Sequence, residues 1–323
     1  MTEKRILFVS KGVSASSRYR AIQYFPYLQS EGYFPIHITA SGGVAAVLRT
    51  LWQVKHADVV VILRKTFPAP LTWVFRVLSK KLFFDFDDAL FCSSNGAPSK
   101  TRRNRLKVMV RQVDHVLAGN QYLANESLKM NAAVSVIPTS LDTKRYNVTA
   151  DKPVGFIDLV WIGSSSTSKY LIDLLPVLNQ AAEKNFRLRL KIIADFNIED
   201  AKIPIIAIQW SEEAEIRELA NAHIGIAPMV DNDWTRGKCA LKVLQYMAAK
   251  LPVISSHIGV NAEAVLQGET GYLVTSEDKW LIAIENLAED QVLREKLGLK
   301  GLQRVKEMYD IDVVAQQFLA VLK

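Results

Sequence analysis

Only two cysteines, Cys92 and Cys239, occur in 323 residues. They allow no disulfide framework and no cysteine-based metal site, and they point to a reducing, cytoplasmic compartment. No stretch of about 20 apolar residues is present, so no segment is expected to span a bilayer. The opening residues, MTEKRILFVS, show no long apolar leader. The five histidines, at 37, 56, 115, 223 and 257, form no HxH or HExxH pattern, which removes the usual zinc arrangements. A G-x-S-x-G nucleophile elbow is missing, which argues against a serine hydrolase. G-x-G-x-x-G is missing too, which weakens a dinucleotide-dehydrogenase reading.

What is present suits a globular α/β protein. Apolar residues make up 49% of the chain, enough for a sizeable core in two domains of roughly 150 residues each. Charge is distributed unevenly: residues 1–150 hold 21 Lys/Arg against 9 Asp/Glu, and residues 151–323 hold 19 against 24. A basic first half calls for an anionic partner.

Short apolar runs alternate with helical periodicity, which predicts parallel sheets covered by helices. The expected strands of the first half are 6–10, 36–39, 59–63, 82–85, 116–118 and 134–137. A helix is expected over 18–31, capped by Ser17 and ended by Gly32. Residues 138–153 are polar and break the pattern, which places a domain boundary near 150. A second alternation follows, with strands at 159–162, 188–194, 224–228 and 253–255. Two open parallel sheets of this kind bind ligands at their carboxyl edges.

One segment, TRGKCALKVLQYMAAKLPVISSHIG at 235–259, concentrates the chemistry. It reads as a helix opened by Arg236 and Gly237 that feeds a buried strand. Lys238, Lys242 and Gln245 then share one face at i, i+4 and i+7. A helix N-terminus beside two ammonium groups forms a cradle for a diphosphate. An amphipathic helix with solvated lysines has the same spacing.

Other candidates follow strand ends. Gly163, Ser164 and Ser165, in GSSSTSK, allow backbone N–H groups close to a ligand, with Lys169 within reach of a diphosphate. A Ser-rich helix cap is the plainer alternative. Lys11, Gly12 and Ser14 follow the first strand, and Arg18 and Arg20 lie just beyond; arginine suits bidentate binding of anionic acceptor groups. Asp85, Asp87 and Asp88 in DFDDA close a strand, where Asp87 or Asp88 can orient an acceptor hydroxyl or take its proton. The same DxD run fits a divalent metal, so a metal-dependent transferase using Asp85 and Asp87 is an alternative. Finally, KTRRNRLKVMVR places Lys100, Arg102, Arg103, Arg105, Lys107 and Arg111 within twelve residues. This suits an anionic membrane surface and equally an exposed basic face over a folded core; no nucleic-acid module accompanies it.

The run Lys242, Val243, Leu244, Gln245, Tyr246, Met247, Ala248, followed by Leu251, Pro252, Val253 and Ile254, resembles the nucleotide-sugar-binding segment of family 4 (group 1) glycosyltransferases of the GT-B fold. Gly259, Asn261, Glu263, Gly268 and Gly271–Val274 fit the continuation of that pattern. The resemblance implies two Rossmann-like domains, 1–150 on the acceptor side and 151–305 on the donor side, facing a central cleft, with 306–323 crossing back as a helix. It implies a retaining transfer from a nucleotide-diphosphate sugar, without a metal or other cofactor, to a glycan or lipid-linked acceptor in polysaccharide or lipopolysaccharide assembly. Lys169, Lys238 and Lys242 would stabilise the leaving diphosphate, and the loop of Lys11 and Gly12 would face the donor from across the cleft. Members of the family carry two glutamates separated by seven residues. Here those positions are Gly237 and Gln245, so Gln245 would orient the ribose and the first glutamate has no counterpart. Asp231 or Asp233 can approach that space. The departure keeps open a catalytically weak nucleotide-sugar-binding partner subunit.

Overall fold

The computed structural model describes residues 4–12, 15–40 and 43–323. The chain divides into two compact units. Unit 1 comprises Met1–Ser140, Asn232–Cys239 and Ile311–Lys323; unit 2 comprises Leu141–Asp231 and Ala240–Asp310. The first break thus falls inside the polar 138–153 stretch.

In unit 1, β1 (Lys4–Ser10), α1 (Ala15–Arg20), α2 (Phe25–Ser30), β2 (Tyr33–Thr39), α3 (Val44–His56), β3 (Val59–Leu63), α4 (Ala69–Leu78), β4 (Lys81–Phe86), α5 (Lys100–Gln112), β5 (His115–Ala118), α6 (Gln121–Leu128) and β6 (Val134–Val136) follow in order. All strand pairs are parallel, in the order β2-β1-β3-β4-β5-β6. The all-apolar run of β3, VVVIL, is buried at every residue, as a parallel strand covered on both faces must be. The helix expected over 18–31 is interrupted. Pro26 lacks the N–H that an unbroken helix would donate, and the chain restarts at α2 with that proline in its first turn.

In unit 2, β7 (Ile157–Ile162), α7 (Ser168–Lys184), β8 (Leu188–Ala194), β9 (Ile205–Gln209), α8 (Glu212–Ala220), β10 (Ile224–Ala227), α9 (Asp233–Arg236, within the segment assigned to unit 1), α10 (Leu241–Ala248), β11 (Val253–Ser256), α11 (Gly259–Ala264), β12 (Gly271–Val274), α12 (Glu277–Glu289) and α13 (Gln291–Met308) alternate. The parallel order is β12-β11-β10-β7-β8-β9. The last helix, α14 (Ile311–Leu322), packs Val314, Phe318 and Leu322 with Ile6, Phe8 and Tyr24 in the unit 1 core.

Each sheet reverses its winding once, between β1 and β3 in unit 1 and between β7 and β10 in unit 2. The chain leaves such a pair in opposite directions, opening a crevice at the carboxyl ends.

His223 just before β10 accepts a hydrogen bond from the Asp158 N–H at 3.0 Å through Nδ1 and is buried. Burial, with Lys152 nearby, lowers its pKa from 6.5 to about 4. The unfolded chain takes up a proton below pH 6.5 that folded unit 2 refuses until about pH 4. Stability therefore falls on acidification across that window, by on the order of 3 kcal/mol, and levels off below it. Urea unfolding at pH 7 and pH 5 should show the loss, and His223→Asn, which keeps an acceptor but cannot titrate, should flatten it.

Candidate functional site

The unit 1 crevice gathers charge. Arg64 directly follows β3 and sits in the left-handed region at φ 49°, a conformation costly for a residue with a Cβ. Its N–H donates to the Asp85 carbonyl at 2.8 Å, which holds the turn. From there the guanidinium Nε lies 2.9 Å from Asp87 Oδ1, while the same group pairs with Asp88 and donates to Ser16 Oγ. Lys238 Nζ approaches Asp88 Oδ1 at 2.7 Å and lies 4.4 Å from the Trp234 ring centroid. Burial and the Arg64 charge lower the Lys238 pKa to about 8. Asp87 and Asp88 are therefore held between two cations rather than standing alone at a strand end.

The 232–239 segment fits unit 1 closely. Asn120 Nδ2 donates to the carbonyls of Arg236 and Lys238 at 3.2 and 3.0 Å. Tyr122 donates to Asp233 at 2.9 Å. A Cβ on Gly237 would come within 2.6 Å of Ala89, so only glycine allows that approach. Cys239 is buried and its thiol pKa is pushed up to about 12 by that burial.

Two sequence expectations are corrected here. Helix α10 starts at Leu241, after Ala240 turns through φ 55°, so Lys238 does not share a helical face with Lys242 and Gln245. The left-handed residue breaks the hydrogen-bond register that the i, i+4, i+7 spacing assumed. Arg236, Gly237 and Lys238 belong to unit 1, whereas Lys242 and Gln245 belong to unit 2. Arg20, expected to meet an acceptor, is 1% exposed. Its Nε donates to Asp85 Oδ1 at 2.9 Å, with a second bond to Oδ2 and a third to the Ile137 carbonyl. Burial opposes the guanidinium charge, and the Asp85 carboxylate more than offsets this, raising the Arg20 pKa. Asp85 is accordingly a core ion pair. Arg18 lies 4.4 Å from the Tyr19 ring centroid; Lys11 is exposed and Gly12 half-buried after β1; Ser14 lies outside the described residues.

The unit 2 crevice is organised by Tyr246. Its hydroxyl accepts from Ile162 N–H at 2.9 Å and donates to the Ile226 carbonyl at 3.2 Å. It thereby pins α10 across β7 and β10, the two strands flanking the crevice. Gly225 makes room: a Cβ there would lie 2.4 Å from the Tyr246 ring. Pinned this way, Lys242 holds its Nζ 4.2 Å from the Trp161 ring centroid, a cation–π geometry. Gly163 is required by the same ring, 2.3 Å from its would-be Cβ. Trp161 Nε1 is buried without a hydrogen-bond partner among the described residues.

The serine loop after β7 forms a turn of 3₁₀ helix at Ser165–Thr167 leading into α7. Ser164 and Thr167 make a capping box, and the Ser165 N–H donates to Asp195 at 2.7 Å. The helix-capping alternative thus describes its local bonding. Lys169 is exposed, 5.0 Å from the Tyr170 ring centroid. Gln245 is 4% exposed, and its Nε2 donates to Glu215 at 2.7 Å. Glu215 also accepts from Tyr146 at 2.6 Å and Trp210 at 3.1 Å. The amide expected on a ribose is thus bonded to a buried carboxylate, a partner invisible at a separation of thirty residues.

A cavity of about 450 Å³ opens at the carboxyl ends of β10, β11 and β12, lined by Tyr170, Asp173, Asp231, His257, Glu277 and Trp280 among others. That volume falls in the small-ligand range. Asp231, singled out from the sequence, meets His257 there. Arg64, Glu215 and Trp161 carried no motif; only the places of Arg64 and Trp161 at strand ends hinted at them, and Glu215 lies within a helix. No group of three or more His, Cys, Asp or Glu suited to a metal ion occurs among the described residues.

Residues 157–290 match the family model described as glycosyl transferases group 1. Among curated proteins, a probable sucrose-phosphate synthase of Thermosipho melanesiensis is 28% identical over 161 residues, covering 49% of this chain and 36% of that protein. The capsular polysaccharide biosynthesis glycosyltransferase CapM of Staphylococcus aureus is 32% identical over 76 residues, 23% of this chain and 20% of its own length. The matches thus span about a third or less of those relatives. Among solved structures, sucrose-phosphate synthase from Thermosynechococcus elongatus superposes with TM-score 0.76 at 14% identity, covering 99% of this chain and 98% of that one. A glycosyltransferase from Rickettsia africae gives 0.76 at 16%, with complete coverage of both chains. Anabaena HepE, solved with UDP and glucose, gives 0.74 at 14%, over 99% of each chain.

The fold is that of the GT-B glycosyltransferases. Within it, residues 157–290 are similar to the group 1 glycosyltransferases.

Proposed function

We propose that this chain transfers a sugar from a nucleoside-diphosphate sugar to a glycan or lipid-linked acceptor, with retention at the anomeric carbon. The observation carrying the proposal is Lys242. It sits at the start of α10 over Trp161, beside the β7–β10 crevice of the matched region. An ammonium there, with the exposed Lys169 just after the Gly163–Ser164–Ser165 loop, offsets the negative charge that grows on the departing diphosphate. Gln245 supports that site from beneath through Glu215. Asp231, lining the neighbouring cavity, takes the sugar-hydroxyl contacts for which Gly237 offers no carboxylate. In unit 1, Asp87 or Asp88 positions the acceptor hydroxyl, the pair being held by Arg64 and Lys238. The exposed basic side of α5 meets an anionic surface.

A second reading has its own support. Gly237 stands where the family's first glutamate falls and is buried against Ala89, so a nucleotide-sugar-binding subunit with little turnover fits the same donor site. Two measurements separate the readings. A thermal-shift screen against UDP, GDP and ADP sugars should raise the melting temperature with one nucleotide class. Donor hydrolysis, with and without candidate glycan acceptors, should then show acceptor-stimulated nucleotide release. Stabilisation without release favours the binding subunit, and no stabilisation by any nucleotide overturns both. A chelator that abolishes release would instead favour the metal-dependent alternative.

A further inference from the structure

Helices α3, α4 and α5 lie side by side on one face of the unit 1 sheet, α3 against α4 and α4 against α5. Their inner sides supply Val54, Phe75, Leu106, Met109 and Val110 to the core. Their outer sides are unusual in two respects. None of the three carries an aspartate or glutamate, while Arg49 and Lys55 on α3, Arg76 on α4 and six Lys/Arg on α5 stand among them. Arg49, Lys55, Lys100, Arg105, Lys107 and Arg111 have no carboxylate partner among the described residues. The acids that do reach this layer, Asp58, Asp114 and Glu126, come from its borders and pair with Lys80, Arg76 and Arg103.

Large apolar side chains also face outward here. Trp52 is 55% exposed and Leu48 61% on α3; Trp73 is 59% and Val77 60% on α4. Scattered single exposed apolar residues need no explanation. Two tryptophans with aliphatic neighbours, on adjacent basic helices that carry no acidic residue of their own, form a patch. Indole rings favour the headgroup level of a bilayer, where one edge is wet and the body apolar. Basic side chains around them attract anionic lipid.

We propose that α3, α4 and α5 together form an interfacial face that lies on an anionic bilayer, with Trp52 and Trp73 as its anchors. This rests on the reading of α5 given above and extends it: the basic helix supplies attraction, and the indoles of its two neighbours supply insertion. The amino-terminal ends of α4 and α5 lie at the carboxyl edge of the sheet, the edge that carries Arg64, Asp87 and Asp88. A lipid-linked acceptor would therefore meet that edge from the membrane side.

The test is cosedimentation of the whole chain with phosphatidylcholine vesicles, with or without phosphatidylglycerol, comparing wild type, Trp52→Ser/Trp73→Ser and Arg105→Gln/Lys107→Gln/Arg111→Gln. Wild type is expected to sediment only with the anionic vesicles. Each variant is expected to bind them about tenfold or more weakly, and only the residual binding of the tryptophan variant should stay steeply salt-dependent. Quenching by brominated lipid should be strong in wild type and lost in the tryptophan variant. Nucleotide thermal shifts should be equal in all three, which separates this face from the donor site. If the tryptophan variant binds like wild type, the two anchors are refuted while α5 stands. If no vesicle is bound, or an RNA homopolymer or protein captures the face instead, the bilayer proposal is overturned.

Discussion

Replacing Lys242 with alanine is expected to weaken nucleoside-diphosphate binding by about 10- to 100-fold. That range corresponds to removing one charge-assisted hydrogen bond, about 1.5–3 kcal/mol. The side chain is held by its position one residue into α10 and by the Trp161 ring. The Tyr246 hydroxyl bonds that place α10 are untouched by the substitution, so melting temperature without nucleotide should change little. Calorimetric titration with UDP and GDP reads the effect directly. An unchanged affinity would show that this lysine faces no phosphate, and the proposed donor site would fail. Lys238→Ala offers the contrast: its amine pairs with Asp88 in unit 1, so it should alter the charge around the carboxylates without reproducing the same loss of nucleotide affinity.

Replacing Arg20 with methionine is expected to destabilise unit 1 by about 3–5 kcal/mol, because it strands the Asp85 carboxylate in the core. Asp85 is 2% exposed and receives two bonds from that guanidinium. Adding Asp85→Leu should restore most of the loss, since an apolar pair of similar volume replaces a desolvated ion pair. Chemical denaturation of the single and double variants measures this. Stability unchanged in Arg20→Met, with acceptor affinity reduced, would return Arg20 to the acceptor role suggested by its place after β1. Asp85→Asn is informative as well. A core ion-pair role predicts lower stability, whereas a metal role predicts a normal melting curve and lost metal-dependent turnover.

These two arginine and lysine cases show how much of the site was readable. Lys242 stands out in the sequence because its motif is contiguous: Lys242 through Ile254 spans one helix and the strand after it, so spacing in sequence translates into spacing in space. Most strands of both sheets were legible for the same kind of reason, although β9 and β12 were not among those expected. Buried parallel strands are short apolar runs, and 59–63 and 188–194 read directly as β3 and β8. Strand β9 was missed because IIAIQ is only partly buried at the sheet edge and no helix separates it from β8. Arg20 and Arg18 look equivalent in sequence, two residues apart, yet one is sealed in the core and the other half-buried on an aromatic ring. Nothing local distinguishes them, since Asp85 lies 65 residues away. The same holds for Gln245, whose partner Glu215 is on another helix.

The sequence alone determined the alternation of short buried runs with amphipathic helices, and so an α/β chain with parallel sheets, because side-chain periodicity is a local property. It also determined a charge asymmetry between halves, and a contiguous lysine-bearing segment beside a buried strand. Tertiary structure decided which charges meet. It put Arg64 and Lys238 on Asp87 and Asp88, committed Arg20 to Asp85, and divided Lys238 from Lys242 at the turn of Ala240. Pairing of that kind depends on strand order and crossover direction, which bring distant residues to one edge, and no local pattern of residue types encodes it.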